Sequence, residues 1–328
     1  DNGSNLFATA SNFGVLKSSD NGNVWLTTNL CTYNEGFNCI ASDSSNILVG
    51  YNDSLFVSSD NGETWTGNKI QGFCNFITGL IIKDTLWIVG TNGTGIFISA
   101  NKGKDWKTIA PGKNPQNRII YQVECIDSNI YCISHLNDSI YVTGDYGETW
   151  KEFAQNAGFN KVNCMKFYGS KVYLGTNKGL LFSSDNGETW TNYGPELTNS
   201  QTVCLAIKDN NIFLGTDNAG VFLSTNNGES WKEISEGLIS LVIQSLFIKG
   251  DNIFVGTNYG GAYQAKLSDF GITDVEEKTE VKNDFSIFPN PATDIVTINC
   301  TENQISSISI VNSLGMEVKR IENNVLLE

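Results

Sequence analysis

An eight-residue motif recurs six times along this chain of 328 residues, at nearly constant spacing. Its clearest copy is SSDNGETW, from Ser183 to Trp190, and the copies end at Trp25, Trp65, Trp106, Trp150, Trp190 and Trp231. These tryptophans are 40, 41, 44, 40 and 41 residues apart. A period of about 40 residues indicates a repeat architecture in which each repeat is one supersecondary unit. The spacing therefore predicts a β-propeller.

The residue types that recur in the motif each have a structural reason. An Asp at the third position can accept hydrogen bonds from the following backbone N–H groups and hold a tight turn. A Gly two residues later supplies a positive φ without steric cost. The Trp is a large apolar side chain that enters the next strand. The residues predicted to be structural on this basis are Asp20, Gly22, Trp25, Asp60, Gly62, Trp65, Gly103, Trp106, Asp145, Gly147, Trp150, Asp185, Gly187, Trp190, Gly228 and Trp231.

The pattern SxDxGxTW resembles the Asp-box, or BNR repeat, of sialidase-like and photosystem-assembly-factor-like propellers. In that family the box is the turn between the third and fourth strands of a blade, on the side away from the usual binding face. The resemblance covers about residues 1–266. It implies an all-β, seven-bladed propeller of four-stranded antiparallel blades, because six boxed units are followed by one unboxed unit at Ser245 to Leu267.

The two ends of the repeat are irregular. The first unit begins at Leu6 and has too little chain for a first strand, and the last unit has three strands and no box. We expect a strand from Phe270 to Val275 to complete the last blade. The predicted domains are the propeller over residues 1–267, a charged linker over 268–283 and a further domain over 284–328.

The last domain carries a second resemblance. Its residues FPNPATD, from Phe288 to Asp294, are followed by a strand through Ile298 and a strand–turn from Ile308 to Val318. It resembles the C-terminal sorting domain of cargo of the type IX secretion system, found in the Bacteroidetes group. The resemblance implies a small β-sandwich, truncated here at Glu328, with the secretion machinery as a partner. The protein is then secreted or attached to the cell surface.

Composition argues against two features, nucleic-acid binding and a transmembrane segment. The net charge of −14 and the pI near 4.5 argue against nucleic acid, because binding to phosphates depends on clustered Lys and Arg. No run of 18 apolar residues is present, so no transmembrane segment is predicted.

Of the eight cysteines, Cys300 lies in the last domain, and the seven in the propeller fall into two groups. Cys39, Cys164 and Cys204 each lie 11 residues before a glycine that ends a strand, where other units have Gly79 and Ser245. We interpret these three as small buried residues. The off-pattern residues Cys31, Cys74, Cys125 and Cys132 leave a disulfide open, because sequence cannot assign their connectivity.

The sequence argues against sialidase chemistry. As known for that family, the reaction needs three arginines around the substrate carboxylate, because only a guanidinium cluster gives bidentate charged recognition. The propeller contains one arginine, Arg118, and the other, Arg320, lies in the sorting segment.

A glycoside hydrolase or lyase is the alternative function, since it needs only two carboxylates. Glu35, Glu124, Glu196 and Glu236 lie outside the motifs and are its candidates. The xyloglucan-cleaving relatives of this repeat family use two propellers, whereas this chain has one. His135 is the only histidine, so neither a metal site nor a Ser/His/Asp triad is predicted, and we expect no cofactor.

Binding is the function that the sequence favours over catalysis. The connections between units are irregular and carry aromatic residues and Arg, the side chains that anchor many binding sites. The family topology places these connections on the face opposite the boxes. The alternative for these rings is that they cap the ends of the sheets. We predict a surface module that recognises an extracellular protein or glycan through Tyr33, Phe37, Phe73, Phe76, Arg118, Phe153, Phe159 and Tyr193.

Overall fold

A computed structural model describes the chain over residues 1–3, 5–11, 13–30, 39–70, 76–111, 118–134, 139–154, 157–158, 161–177, 179–193 and 200–273, and the backbone of four later strands. The chain divides into two compact units, Asp1–Ile272 and Thr273–Glu328.

The first unit is a seven-bladed β-propeller, as predicted. Five of its antiparallel sheets have four strands, and the first and last sheets have three. Blade 1 comprises β1 (Leu6–Ala10), β2 (Gly14–Ser18) and β3 (Leu26–Thr27). Blade 2 comprises β4 (Cys39–Ser42), β5 (Ile47–Tyr51), β6 (Ser54–Ser58) and β7 (Thr66–Lys69). Blade 3 comprises β8 (Ile77–Lys83), β9 (Leu86–Thr91), β10 (Ile96–Ser99) and β11 (Lys107–Ile109).

The remaining blades repeat this order. Blade 4 comprises β12 (Ile120–Ile126), β13 (Asn129–Ser134), β14 (Ser139–Thr143) and β15 (Lys151–Phe153). Blade 5 comprises β16 (Val162–Tyr168), β17 (Lys171–Thr176), β18 (Gly179–Ser183) and β19 (Thr191–Tyr193). Blade 6 comprises β20 (Thr202–Lys208), β21 (Asn211–Thr216), β22 (Val221–Ser224) and β23 (Lys232–Glu233). Blade 7 comprises β24 (Ile243–Lys249), β25 (Asn252–Thr257) and β26 (Gly261–Lys266).

The second unit contains two antiparallel strand pairs. Strand β27 (Phe285–Phe288) pairs with β28 (Thr297–Cys300), and β29 (Ser307–Val311) pairs with β30 (Glu317–Glu322).

The eight-residue motif, called the turn motif below, joins the third and fourth strands of blades 2 to 6 and the last two strands of blade 1. In blade 5 the Ser183 hydroxyl donates to Asp185 Oδ1 at 2.7 Å and accepts from the Gly187 N–H at 2.7 Å. Asp185 Oδ1 also accepts from the Thr189 N–H at 2.9 Å. Asn186 and Gly187 both have positive φ, 58° and 91°. The turn thus needs two consecutive left-handed residues, which Asn and Gly adopt most readily.

The glycine of the motif is also required by packing between blades. A Cβ built on Gly187 would lie 2.4 Å from the Phe153 ring of blade 4. A Cβ on Gly22 of blade 1 would lie 2.4 Å from the Phe254 ring of blade 7. A close approach of this kind therefore occurs between two blades that are consecutive in the chain, and also where the last blade meets the first.

The apolar core lies between adjacent blades. One cluster joins blades 4 and 5 and includes Tyr131, Ile140 and Leu174, and Trp190 packs against it. The six motif tryptophans are all half-buried. Trp190 lies edge-on to Phe153, with ring centroids 6.3 Å apart. Each Trp therefore covers the outer part of an interface between blades, and it does not enter the central core.

A repeated lysine contact closes the ring. Lys208, at the end of the innermost strand of blade 6, donates to the Gly250 carbonyl of blade 7 at 3.3 Å. Lys249 occupies the same position in blade 7 and donates to the Gly3 carbonyl of blade 1 at 3.0 Å. Blade 7 thus contacts blade 1 as blade 6 contacts blade 7.

The predicted strand from Phe270 to Val275 is wrong over Phe270–Thr273, and its last two residues, Asp274 and Val275, lie outside the described residues. Phe270 ends a 3₁₀ helix (Leu267–Phe270), and the described residues after it form no strand. Leu267 and Ile272 are buried, and the Phe270 ring lies 6.1 Å from that of Phe213 in blade 6. The apolar residues of this segment thus fill the interface that the motif Trp covers in other blades, and a short helix places them there better than an extended strand.

The predicted small position on the innermost strands is confirmed by register. Cys39 pairs with Gly50, Cys164 with Gly175 and Cys204 with Gly215. Gly79 and Ser245 take the same place in blades 3 and 7. The facing glycine leaves room for a small thiol, because a Cβ on Gly175 would lie 2.4 Å from the Cys164 sulfur.

We expect Gly187→Ala to destabilise the propeller more than Gly169→Ala. Both residues have positive φ, 91° and 59°, which costs an Ala about 1–2 kcal/mol. Only Gly187 also faces a ring, whose displacement adds about 1–3 kcal/mol, whereas Gly169 has no atom within 4 Å of the added Cβ. Urea denaturation of both variants measures the difference. Equal losses of unfolding free energy would show that the contact with Phe153 adds nothing.

Stability should fall in acid because of the motif carboxylates. Hydrogen bonds from the Thr64 hydroxyl and N–H, and from Ser58, lower the pKa of Asp60 to about 2. The corresponding bonds lower the pKa of Asp185 to about 2. An unfolded Asp has a pKa of about 3.9, so this stabilisation is present above pH 4 and is lost as the pH falls through 2.

The measurement is the melting temperature by circular dichroism from pH 7 to pH 2. In blades 3 and 6, Asn101 and Asn226 accept the same backbone hydrogen bonds through Oδ1, at 2.9 and 3.0 Å. The double variant Asp60→Asn/Asp185→Asn should therefore fold and show a smaller acid-induced decrease than the unmodified chain. An unchanged decrease would contradict the assignment.

Candidate functional site

The two ends of the propeller are chemically different. Strands within each blade are antiparallel, so the turn motifs all lie at one end. The connections from second to third strands, and those between blades, lie at the opposite end, called the loop face below. Because such connections are not constrained by a ladder of hydrogen bonds, they can vary from blade to blade.

Four of the eight predicted ligand-binding residues, Tyr33, Phe37, Phe73 and Phe159, lie outside the described residues. The structure brings two others together on the loop face. Phe76 and Arg118 precede the innermost strands of blades 3 and 4 and are exposed, Phe76 to 50%.

A single loop of blade 3 holds Phe76 and Arg118 in place. The N–H of Asn92 donates to the Phe76 carbonyl at 2.9 Å. The N–H groups of Gly93 and Gly95 donate to the Arg118 carbonyl at 3.0 and 2.9 Å. The backbone at Phe76 and at Arg118 is thus held on either side of one turn, and both side chains are exposed there.

The last two predicted residues, Phe153 and Tyr193, pack between blades. Both end an outermost strand. The Phe153 ring lies 5.2 Å from Tyr131, and the Tyr193 ring stacks on Phe182 at 5.2 Å with an interplanar angle of 22°. Both residues are half-buried, and each ring also approaches the motif glycine of the next blade, Gly187 or Gly228.

An exposed apolar group on the loop face of blades 6 and 7 was not predicted. Ile239, Leu241 and Tyr259 are exposed to 84%, 41% and 99%. Their backbone is fixed, since the Ile239 N–H donates to the Tyr263 hydroxyl at 3.1 Å and the Asn258 N–H donates to the Val242 carbonyl at 2.8 Å. We call Ile239, Leu241 and Tyr259 the blade 6–7 patch. The sequence signal is the apolar run LISLVI, from Leu238 to Ile243, in a connection without aromatic residues.

Tyr259 has an unfavourable backbone conformation. Its φ is 62°, in the left-handed region that bulky residues rarely adopt, and blade 3 has Gly93 at the equivalent place, with φ 118°. Strain at an exposed side chain that makes no packing contribution is typical of a functional position.

The described carboxylates do not have the surroundings of a catalytic pair for glycoside hydrolysis. Glu124 accepts from Gln122 Nε2 at 3.0 Å and forms an ion pair with Lys166 at 3.6 Å. Glu236 is exposed in the connection to blade 7, and Glu35 and Glu196 lie outside the described residues.

A general acid for glycoside cleavage needs a raised pKa. The Lys69 ammonium lowers the pKa of Asp53, and hydrogen bonds within the turn motifs lower the pKa of Asp20, Asp60, Asp145 and Asp185. These shifts are opposite in direction to what an acid catalyst requires.

The described cysteines are poor nucleophiles. Cys125 and Cys132, two of the residues for which a disulfide was open, are both free thiols, whereas Cys31 and Cys74 lie outside the described residues. Burial raises the pKa of Cys164 to about 12 and strongly raises that of Cys132. Because the thiolate is the nucleophile, neither thiol is suited to covalent catalysis.

No group of three or more His, Cys, Asp or Glu side chains suited to a metal ion is found in the described part of the chain. His135 falls outside it. Across the same part, no helix is long and apolar enough to cross a membrane.

Two families match parts of the chain. Residues 123–247 match the DUF6242 beta propeller domain, and residues 286–326 match the Secretion system C-terminal sorting domain. No curated protein matches the chain. The sorting domain identifies an exported protein that is secreted or attached to the cell surface, and it implies handling by the type IX secretion system.

Solved structures with a similar fold include both binding proteins and enzymes. YCF48 bound to D1 peptide has a TM-score of 0.66 and 14% identity, over 80% of this chain and 89% of that chain. The GH74 xyloglucanase from Xanthomonas campestris has a TM-score of 0.64 and 13% identity, over 80% and 50%. The GH74 enzyme from Niastella koreensis has a TM-score of 0.60 and 16% identity, over 80% and 41%. At these identities the likeness shows the fold alone.

Burial should protect Cys132 and Cys164 from alkylation. We expect iodoacetamide at pH 8 to leave both unmodified in the native protein, and to modify the half-buried Cys125 faster. Mass mapping of the peptides with and without urea measures this. Rapid native modification of Cys164 would contradict its placement against Gly175.

Proposed function

We propose that the protein is an exported binding module of Asp-box type, which recognises a protein or glycan ligand through its loop face. The blade 6–7 patch carries this proposal, because its apolar side chains are exposed while their backbone is held by hydrogen bonds. Fixed, exposed apolar groups lose little conformational freedom on binding, and contiguous ones mark interaction sites. Phe76 and Arg118 extend the same face.

Several observations favour binding over the glycoside hydrolase alternative. Glu124 is engaged by Lys166 and Gln122. Wherever the surroundings shift the pKa of a described carboxyl group, they lower it, as in the turn motifs. The two exposed groups described above on the loop face, Phe76 with Arg118 and the blade 6–7 patch, consist of aromatic, aliphatic and cationic side chains. Such a surface binds a ligand without donating a proton to it.

The test begins with glycan and peptide arrays and continues with calorimetry on any ligand found. Tyr259→Asn should weaken binding at least tenfold, because the exposed ring is lost from the patch. The same variant should raise the melting temperature, because Asn adopts φ near 62° with less strain. A purely structural Tyr259 would instead give a lower melting temperature and unchanged affinity.

Tyr146→Asn is the matched control. Tyr146 is also exposed, to 52%, and has φ 55°, but it lies in the turn motif of blade 4, at the opposite end of the propeller. It should raise stability and leave affinity unchanged. Cleavage of a bound glycan, lost in Glu124→Gln, would replace the binding proposal with the hydrolase.

A further inference from the structure

A cavity of about 760 Å³ lies between the outer strands of blade 2 and the turn motif of blade 3, and it reaches Ile70 at the start of the connection between these blades. Its lining includes two indoles, Trp87 and Trp106, and three lysines, Lys69, Lys102 and Lys104. Its volume is in the range of small-molecule sites, and it exceeds what one inorganic anion needs.

The cavity exists because one side chain is small. The third residue after the motif Trp fills the interface with the next blade, and in blades 3, 4 and 5 it is Ile109, Phe153 and Tyr193. In blade 2 the equivalent residue is Asn68, since it pairs with the third strand as Phe153 does. A Cβ on Gly103 meets Trp87, at 2.8 Å, whereas the motif glycines of blades 4, 5 and 6 meet Ile109, Phe153 and Tyr193.

The turn motif beside the cavity has a net charge opposite in sign to that of the other five copies. It reads SANKGKDW, and Lys102 and Lys104 less Asp105 give +1, whereas every other copy of the motif has −1 or −2. Lys102 has φ 57° at the position where four other motifs have Asn. Neither lysine has an ion-pair partner in the described part of the chain, although Lys69 is paired with Asp53 at 2.7 Å. Two free cations on a protein of net charge −14 point to an anionic ligand.

The indoles add an apolar requirement. Trp87 is 3% exposed and lines the cavity together with the half-buried Trp106. Aromatic faces beside amide and hydroxyl groups suit a sugar ring, which presents both C–H and O–H groups.

We propose that this cavity binds an acidic saccharide unit. Its carboxylate or sulfate is held by Lys102 and Lys104, and its ring lies against the indoles. The cavity shares no lining residue with the blade 6–7 patch or with Phe76 and Arg118, so the proposal does not depend on the function proposed for them.

Two variants test the proposal, one by removing the charge of the lysines and the other by filling the cavity. Lys102→Asn/Lys104→Glu restores residues that other motifs have at these positions, so the fold is retained while the charge is lost. Asn68→Phe keeps both lysines and fills the cavity as Phe153 does in blade 4. The charge-matched control is Lys151→Asn/Lys232→Glu, two exposed lysines on outer strands of blades 4 and 6.

The probes are tetragalacturonate, a chondroitin sulfate tetrasaccharide, cellotetraose and sodium sulfate, measured by calorimetry and tryptophan fluorescence on the full chain. We expect at least one acidic tetrasaccharide to bind and neutral cellotetraose not to bind at tenfold higher concentration. Both site variants should weaken binding at least tenfold, whereas the control pair and Tyr259→Asn should leave the Kd unchanged.

Three results would overturn the proposal. The first is that neither acidic tetrasaccharide binds the unmodified chain. The second is that Lys102→Asn/Lys104→Glu binds as tightly as the unmodified chain. The third is that sodium sulfate competes at the same concentration as the saccharide. The last result would identify a site for small anions only. None of them bears on the loop face, because its own variant and ligand are measured separately.

Discussion

Contact between neighbouring blades is the interaction on which this propeller depends. A single blade has two apolar faces and cannot bury either by itself. Between blades 3 and 4, 4 and 5, and 5 and 6, the third residue after a motif Trp packs against the motif glycine of the next blade. Phe153 approaches Gly187 so closely that no side chain fits between them. The turn conformation and the interface therefore impose the same residue, which explains why glycine is present in all six motifs.

The repeat made the fold predictable. A fixed period of about 40 residues determines the number of blades, the place of the turns and the small position on the innermost strands, because each is specified several times in the chain. The end of the last blade is specified once. There the residues from Leu267 follow no repeat, and their burial against Phe213 could not be deduced from propensity alone.

The candidate site was predicted less well, for a physical reason. Aromatic residues outside the motifs are compatible with either packing or recognition, and the residue type does not distinguish them. Phe153 and Tyr193 lie three residues after a motif Trp, as do Ile109 and Asn68, so their offset from the repeat was the informative signal. The blade 6–7 patch was missed because its Ile and Leu resemble ordinary strand residues, and only burial shows that they are exposed.

Departures from the repeat carry functional information when two of them meet in space. Asn68 and the lysine pair at 102 and 104 lie more than 30 residues apart in the chain, yet they act on one cavity. The small side chain opens the space and the lysines set its charge. Either change alone would be an ordinary surface substitution. The turn needs a left-handed residue at position 102, and Lys adopts this conformation at a greater cost than the Asn that four other motifs have there. A strained cation beside an unfilled interface is better explained by a ligand than by the fold.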